Sequence, residues 1–365
     1  MRLVNINFID VEKHEYYVAK PIYSSGALLL RNDVKLTTSF IDQLKAKDIN
    51  NIYVKDELSE GIEINELIGH DELREARDNV KSQFESVKQG KDFNRAMNMV
   101  NNTVGDLLDI MVTNKDVGFN ISNLRSMDDY LYEHCVNVSI SCMYMAVLMN
   151  YNKKDIMDIG VGGMLHDIGK IFIDNSILDK PDKLNDEEMK EMQKHPELGY
   201  RLIADNHGNN ISSTSKQVIL QHHERWDGKG YPNGLMGPKI YKMARICAIA
   251  DVFDALTGNK IYKQSIPTYQ AAEYMYSLSD KYFDPYMVKV FLSKVVKFKE
   301  GSLVELSDCT KGIVYSQNNQ VLDRPIIKIL VEKNGKMLGN RNRYIDLMED
   351  KTVFIKGLLQ GDLKH

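Results

Sequence analysis

Leu165-His166-Asp167-Ile168-Gly169-Lys170 and Gln221-His222-His223-Glu224-Arg225-Trp226-Asp227-Gly228-Lys229-Gly230-Tyr231-Pro232 are the stretches on which the reading of this chain turns. Each follows an apolar, helix-like segment and sets titratable side chains where packing would ordinarily continue. Working outward, His134 precedes the first stretch by 32 residues, counted from His166, and His195 follows His166 by 29. His195 to His222 is 27 residues, and His223 to Asp251 is 28. Each interval suits a helix with its connection and return, so successive helices of one bundle can each deliver a ligand to a shared core. Five histidines and two aspartates buried by chance would leave many polar atoms needing partners, so a purely structural origin is disfavoured. Imidazole with carboxylate suits Fe, Mn or Zn, and a shared carboxylate supports a two-metal site.

The surroundings agree with a helical domain. Val138–Met149, Met157–Leu165, Glu187–Ala204, Ser215–Arg225, Tyr241–Leu256 and Thr268–Leu278 carry helical periodicity, and strand signals between 119 and 298 are scarce. Before it, Tyr16–Ile22 and Ala27–Leu30 flank a Ser-Ser-Gly turn, Thr37–Ala46 reads as a capped helix, and Asn51–Val54 as a strand. From Asp71 to Lys115 the text is polar and helical, with Met97, Val100, Val104, Leu107, Leu108 and Met111 at spacings of three and four. Such faces would suit a homodimer. After Gly301, short β-branched runs separated by Asn, Gly and Asp read as a small β module. The expected organisation is mainly α: a small N-terminal α+β module (1–67), a helical connector (68–118), a helical catalytic domain (119–298) and a small C-terminal β module (299–365).

Composition sets limits. The 365 residues have 43% hydrophobic and 27% charged side chains with a net charge of −4, which suits a soluble protein and argues against one coating duplex nucleic acid. The four cysteines form no CxxC pair and read as free thiols of a reducing cytoplasm. The N-terminus lacks the apolar core of a signal peptide, and no run is long enough to span a bilayer, so no membrane association is expected.

The local text also carries a resemblance. LHDIGK at 165–170 resembles the HD superfamily of metal-dependent phosphohydrolases, and QHHERWDGKGYP at 221–232 is similar to the HD-GYP signature of bacterial second-messenger phosphodiesterases. Lys194-His195-Pro196-Glu197-Leu198-Gly199, Ile249–Thr257, Asp128–Ser139 and Phe283-Asp284-Pro285 resemble further elements of that family, in its order, over residues 119–298. The resemblance implies an HD-type helical bundle that hydrolyses cyclic di-GMP to pGpG or GMP. It implies two divalent ions, Fe or Mn, bound by His134, His166, Asp167, His195, His222, His223 and Asp251. Asp167 would bridge them, with His134, His166 and Asp251 nearer one ion and the other three histidines nearer the second. A water held by the pair would attack the phosphodiester. Lys170 is expected beside the scissile phosphate, and Tyr231, Lys260 and Lys263 at the substrate. Relatives commonly carry Arg where this chain has Lys260, which bears on bidentate contacts. Tyr130 stands where some relatives use Glu to help hold a third metal, so a two-metal centre is expected, with Tyr130 beside the pocket. Two other readings fit the same motifs: hydrolysis of another cyclic dinucleotide, and binding of cyclic di-GMP without cleavage.

Overall fold

The computed structural model describes residues 1–24, 27–47, 49–114, 117–120, 130–206, 210–258, 266–338 and 342–359. They divide into two compact units, one of Met1–Glu66, Asp116–Asn120 and Val296–His365, the other of Leu67–Lys115 and Ile121–Val295.

In the first unit, β1 (Arg2–Asn5), β2 (Tyr17–Val18) and β5 (Asn51–Lys55) form an antiparallel sheet in the order β1-β5-β2, while β3 (Ile22–Ser24) and β4 (Ala27–Leu30) pair as a hairpin. Thr37 caps α1 (Thr38–Lys45), its side chain accepting from Phe40 N at 3.3 Å. Ile41 and Leu44 of that helix join Val4, Ile6, Val18, Ile52 and Val54 in one core. The C-terminal strands β6 (Leu303–Leu306), β7 (Lys311–Ser316), β8 (Ile326–Val331), β9 (Tyr344–Asp346) and β10 (Ile355–Leu358) make an antiparallel sheet in the order β10-β6-β7-β8-β9. The chain's two ends meet here: Ile62 packs in one cluster with Leu303, Ile313, Leu330 and Val331, and the Met1 amino group donates to Ile62 O at 2.6 Å. The modules expected separately at 1–67 and 299–365 therefore fall within one compact unit.

The second unit is helical. α2 (His70–Lys88) and α3 (Phe93–Thr113) form a hairpin whose apolar faces turn inward. Met97, Val100, Val104, Leu107, Leu108 and Met111 are all buried within the unit. For the same reason α2 and α3 belong to the helical unit rather than to a separate connector. α4 (Tyr130–Leu148) is buried almost all round, as a central helix must be, and packs on α5 (Lys153–Leu165) and α10 (Lys242–Thr257). α6 (Asn175–Leu178), α7 (Asp186–Met192), α8 (His195–Asp205) and α9 (Ser213–Gln221) come between α5 and α10 in the chain, with α11 (Thr268–Ser277) and α12 (Pro285–Leu292) following α10.

The helix expected over Glu187–Ala204 is two helices. Pro196 has no N–H to donate, and the chain restarts α8 with proline in its first turn. No helix among the described residues is long and apolar enough to cross a membrane.

Candidate metal centre

The ends of helices position most of the site. α5 stops at Leu165, leaving His166 as its C-cap and Asp167 at the head of a 3-10 turn, Ile168–Phe172. α8 packs against this turn through two glycines. A Cβ on Gly169 would lie 2.0 Å from His195 O and 2.6 Å from Gly199 N, so only glycine lets His195 approach Asp167 so closely. α9 stops at Gln221 with His222 as its C-cap, and His223 lies beyond it. The helix expected to run through Arg225 ends four residues sooner than that, because the following loop folds back on it. Tyr231 N donates to His223 O at 3.2 Å, and a Cβ on Gly230 would meet Arg225 N at 2.3 Å. His134 comes from α4 and Asp251 from α10.

These seven side chains converge. The Asp167 carboxylate is 1% exposed and faces two ways. Its Oδ2 lies 3.3 Å from His166 Nε2 and 3.8 Å from His134 Nε2; its Oδ1 lies 3.3 Å from His195 Nε2. His195 Nε2 and His222 Nε2 stand 3.3 Å apart. Ligand atoms of Asp167, His195, His222 and His223 all lie within 4.8 Å of one another, as do those of His134, His166 and Asp167. Asp251 sits between the groups, Oδ1 3.1 Å from His134 Nε2 and Oδ2 3.9 Å from His223 Nδ1.

Hydrogen bonds behind the rings set their tautomers. Nδ1 of His166 meets Gly163 O at 2.7 Å, that of His195 meets Met192 O at 2.8 Å, and that of His222 meets Ile219 O at 2.8 Å. A carbonyl only accepts, so each Nδ1 carries the proton and each Nε2 presents a bare lone pair. Burial, helped by the nearby Lys170 ammonium, pushes His195 down to about 3 and His223 to about 4. Burial likewise drives His222 well below its ordinary range. These rings are neutral bases near neutral pH, free of proton competition. Burial also opposes the ionised Asp167, yet the Lys170 ammonium beside it holds its carboxyl well below the usual carboxylate range. For His134 burial is outweighed by hydrogen bonds to Asp251 and Asp254, which raise it to about 9.

Lys170 donates to Asp167 Oδ2, but the middle of the cluster is otherwise crowded with acceptors. His166 Nε2 and Asp167 Oδ1 are buried without a hydrogen-bond partner, a costly arrangement unless a cation sits among the lone pairs. Nitrogen and carboxylate donors at these separations fit divalent metal ions.

Other expected residues surround this core. Lys170 Nζ lies 2.5 Å from Asp167 Oδ2, with its side chain 22% exposed. Tyr231 stacks on His223 with ring centres 4.7 Å apart, and Tyr130 stacks on His134 at 5.9 Å. Lys260 and Lys263 lie outside the described residues. Two neighbours carried no role in the sequence reading. Asp254, one helical turn after Asp251, accepts from His134 Nδ1 at 2.7 Å and Asn137 Nδ2 at 3.0 Å. Glu224, 2% exposed, accepts from Asn233 N and Leu235 N at 2.7 and 2.9 Å, tying down the loop that carries Tyr231. A helical i, i+3 pair of acids on an apolar helix was the signal available for Asp254.

Residues 119–287 match a family model described as HD domain, and residues 303–362 match one described as KOW domain associated with HD domain. A cyclic di-GMP phosphodiesterase of Pseudomonas aeruginosa is 30% identical over 260 residues, 71% of this chain and 61% of that protein. The cyclic di-GMP phosphodiesterase response regulator RpfG of Xanthomonas campestris is 40% identical over 148 residues, 40% of this chain and 39% of that protein. A 3'3'-cGAMP-specific phosphodiesterase of Vibrio cholerae is 34% identical over 187 residues, 51% of this chain and 36% of that protein. The chain spans 61%, 39% and 36% of the length of these relatives.

Proposed function

We propose that this chain, which carries an HD domain over residues 119–287, is a cytoplasmic phosphodiesterase that hydrolyses cyclic di-GMP at a centre of two divalent ions, Fe or Mn. The observation that carries the reading is the convergence of bare acceptors on both sides of Asp167, with His166 Nε2 and Asp167 Oδ1 buried and unpartnered. Relatives named as cyclic di-GMP phosphodiesterases support the substrate, and the buried free thiols of Cys135, Cys142 and Cys247 support a reducing compartment. His134, His166 and Asp167, joined by Asp251, would hold one ion; Asp167, His195, His222 and His223 would hold the other. Bound there, such a pair supplies an acidified water as nucleophile and neutralises charge on the phosphoryl oxygens. The chain's own groups do the rest. Lys170, its side chain 22% exposed at the edge of the cluster, can turn its ammonium from Asp167 to a phosphate oxygen or to the leaving oxygen. Tyr231, fixed against His223, offers an aromatic face to a base. Lys260 and Lys263 complete the substrate contacts in this reading.

A mixed guanine-adenine cyclic dinucleotide is the second reading, favoured by the likeness to a 3'3'-cGAMP-specific enzyme. The test is turnover of cyclic di-GMP and 3'3'-cGAMP, followed by chromatography, on anaerobically purified protein whose metals are quantified in the same sample. Cleavage of cyclic di-GMP with about two metals per chain is expected, and Asp167→Ala should lose both the activity and the metal. Preference for 3'3'-cGAMP would transfer the assignment to the second reading. No metal uptake after Fe(II) or Mn(II) reconstitution, or full activity in Asp167→Ala, would overturn the metal centre itself.

A further inference from the structure

The two halves of the cluster are not alike, and the difference lies behind the ligands. His166, His195 and His222 each direct Nδ1 to a backbone carbonyl three residues earlier, those of Gly163, Met192 and Ile219. These carbonyls lie at or near the C-termini of α5, α7 and α9, where the last four carbonyls lack a helical partner. His134 has no such recourse. It sits within the first turns of α4, where carbonyls on the N-terminal side are engaged by the helix itself. Its Nδ1 is met instead by a carboxylate from α10, Asp254 Oδ2 at 2.7 Å, and Asn137 fixes the other oxygen of that carboxylate at 3.0 Å. All three side chains are buried.

Formal charge also differs between the two metal positions, with His166 the one carbonyl-backed ring on the His134 side. His195, His222 and His223 bring three neutral imidazoles, with Asp167 shared. On the opposite side His134 Nε2 faces Asp251 Oδ1 at 3.1 Å, besides the shared Asp167, and Asp254 stands directly behind the ring. An imidazole whose far N–H is given to a carboxylate is a stronger donor than one bonded to a carbonyl, and is held in one orientation.

On the reading of this cluster as a metal centre, we infer that Asp254 is a positioning residue that makes the two metal positions inequivalent. Acting through His134, it makes the His134–His166–Asp167 position the tighter one, filled first, and leaves the His195–His222–His223 position weaker and exchangeable.

The experiment is Mn(II) binding to the metal-free full-length protein by anaerobic calorimetry, with metal retained after dialysis measured in parallel. Wild type should take up two ions in two resolved steps and keep one of them on dialysis. Asp254→Asn should weaken the first step by about 10- to 100-fold and leave the second within about threefold. Asn137→Ala, which loosens the carboxylate without removing it, should weaken the same step by less. His223→Gln should weaken the second step alone. A general folding defect would weaken both steps together, and that result, or an unchanged first step in Asp254→Asn, would overturn the role of Asp254. Two equal steps in wild type would overturn the inequivalence. Failure of wild type to bind Mn(II) at all would instead remove the metal centre on which the inference stands.

Discussion

Replacing Gly169 by alanine adds one methyl group and removes no side chain of the site, yet the structure makes it a severe change. The new Cβ would stand 2.0 Å from His195 O, 2.6 Å from Gly199 N and 2.9 Å from His195 C. These are backbone atoms, so no side chain can rotate aside. Ordinary contact begins at 3.4 Å, and the turn and α8 must therefore part by about 1.4 Å (3.4 − 2.0). His195 is the first residue of α8 and moves with it. Its Nε2, now 3.3 Å from Asp167 Oδ1 and from His222 Nε2, would retreat to roughly 4.7 Å if the shift fell along those lines. Two donors each about 2.1 Å from one ion cannot stand more than about 4.2 Å apart. Gly169→Ala should therefore lose the ion on the His195 side, with metal content falling from about two per chain towards one. Turnover of cyclic di-GMP should drop by at least ~100-fold, and the overpacked contact should cost about 1–3 kcal/mol in denaturant unfolding. Metal analysis, unfolding and chromatographic turnover on one preparation separate these effects. Full metal content together with wild-type turnover would refute the claim that the close approach of the two glycines sets the site.

Glu224→Ala leaves Asn233 N and Leu235 N without their acceptor and should cost about 2–4 kcal/mol. It should also raise KM with metal content unchanged; wild-type KM would show that the loop is held by other contacts. In the first unit, burial pushes the half-buried Lys299 ammonium down to about 8 from 10.5, against the pull of Glu66 and Glu300. Between those values the unfolded chain binds a proton that the folded chain does not, so this residue's contribution to stability rises with pH from about 8 to 10.5 and is flat below. Lys299→Met removes that slope. The wild-type-minus-variant difference in unfolding free energy should climb by about 1–2 kcal/mol across the window, discounted for partial exposure. A difference independent of pH would place the ammonium in solvent.

That these side chains come together was legible in the sequence for a physical reason that periodicity alone does not supply. LHDIGK and QHHE put polar groups directly after apolar helical text, and a helix end is where side chains can turn inward while the backbone changes direction. The same fact explains two misread boundaries. His222 and His223 follow the helix instead of riding on it, since the Gly230 loop folds back against their backbone. Pro196 restarts a helix that apolar spacing had run straight through. The i, i+3 spacing from Asp251 marked Asp254 but not its role, because its partner is 120 residues away on α4 and no local pattern reports a hydrogen bond of that span. The pairing of the chain's ends was hidden in the same way. Ile62 packs with Leu303 and Ile313, which lie beyond the whole helical unit in the sequence.

Fold and chemistry also share a common solution at the helix ends. A terminating helix leaves carbonyls without partners, and a metal-binding imidazole needs an acceptor for its outer N–H. Gly163, Met192 and Ile219 answer both needs at once, because His166, His195 and His222 each sit three residues on and satisfy the carbonyl while turning Nε2 to the centre. His134, within α4, stands outside this pattern and is held instead by a buried carboxylate, itself bonded by an asparagine. Four of the seven ligands therefore flank helix ends with only short excursions between them, in the pairs His166-Asp167 and His222-His223. Adjacent residues at a helix end can both face inward, whereas adjacent residues inside a helix diverge by about 100°. The paired motifs are a consequence of that geometry.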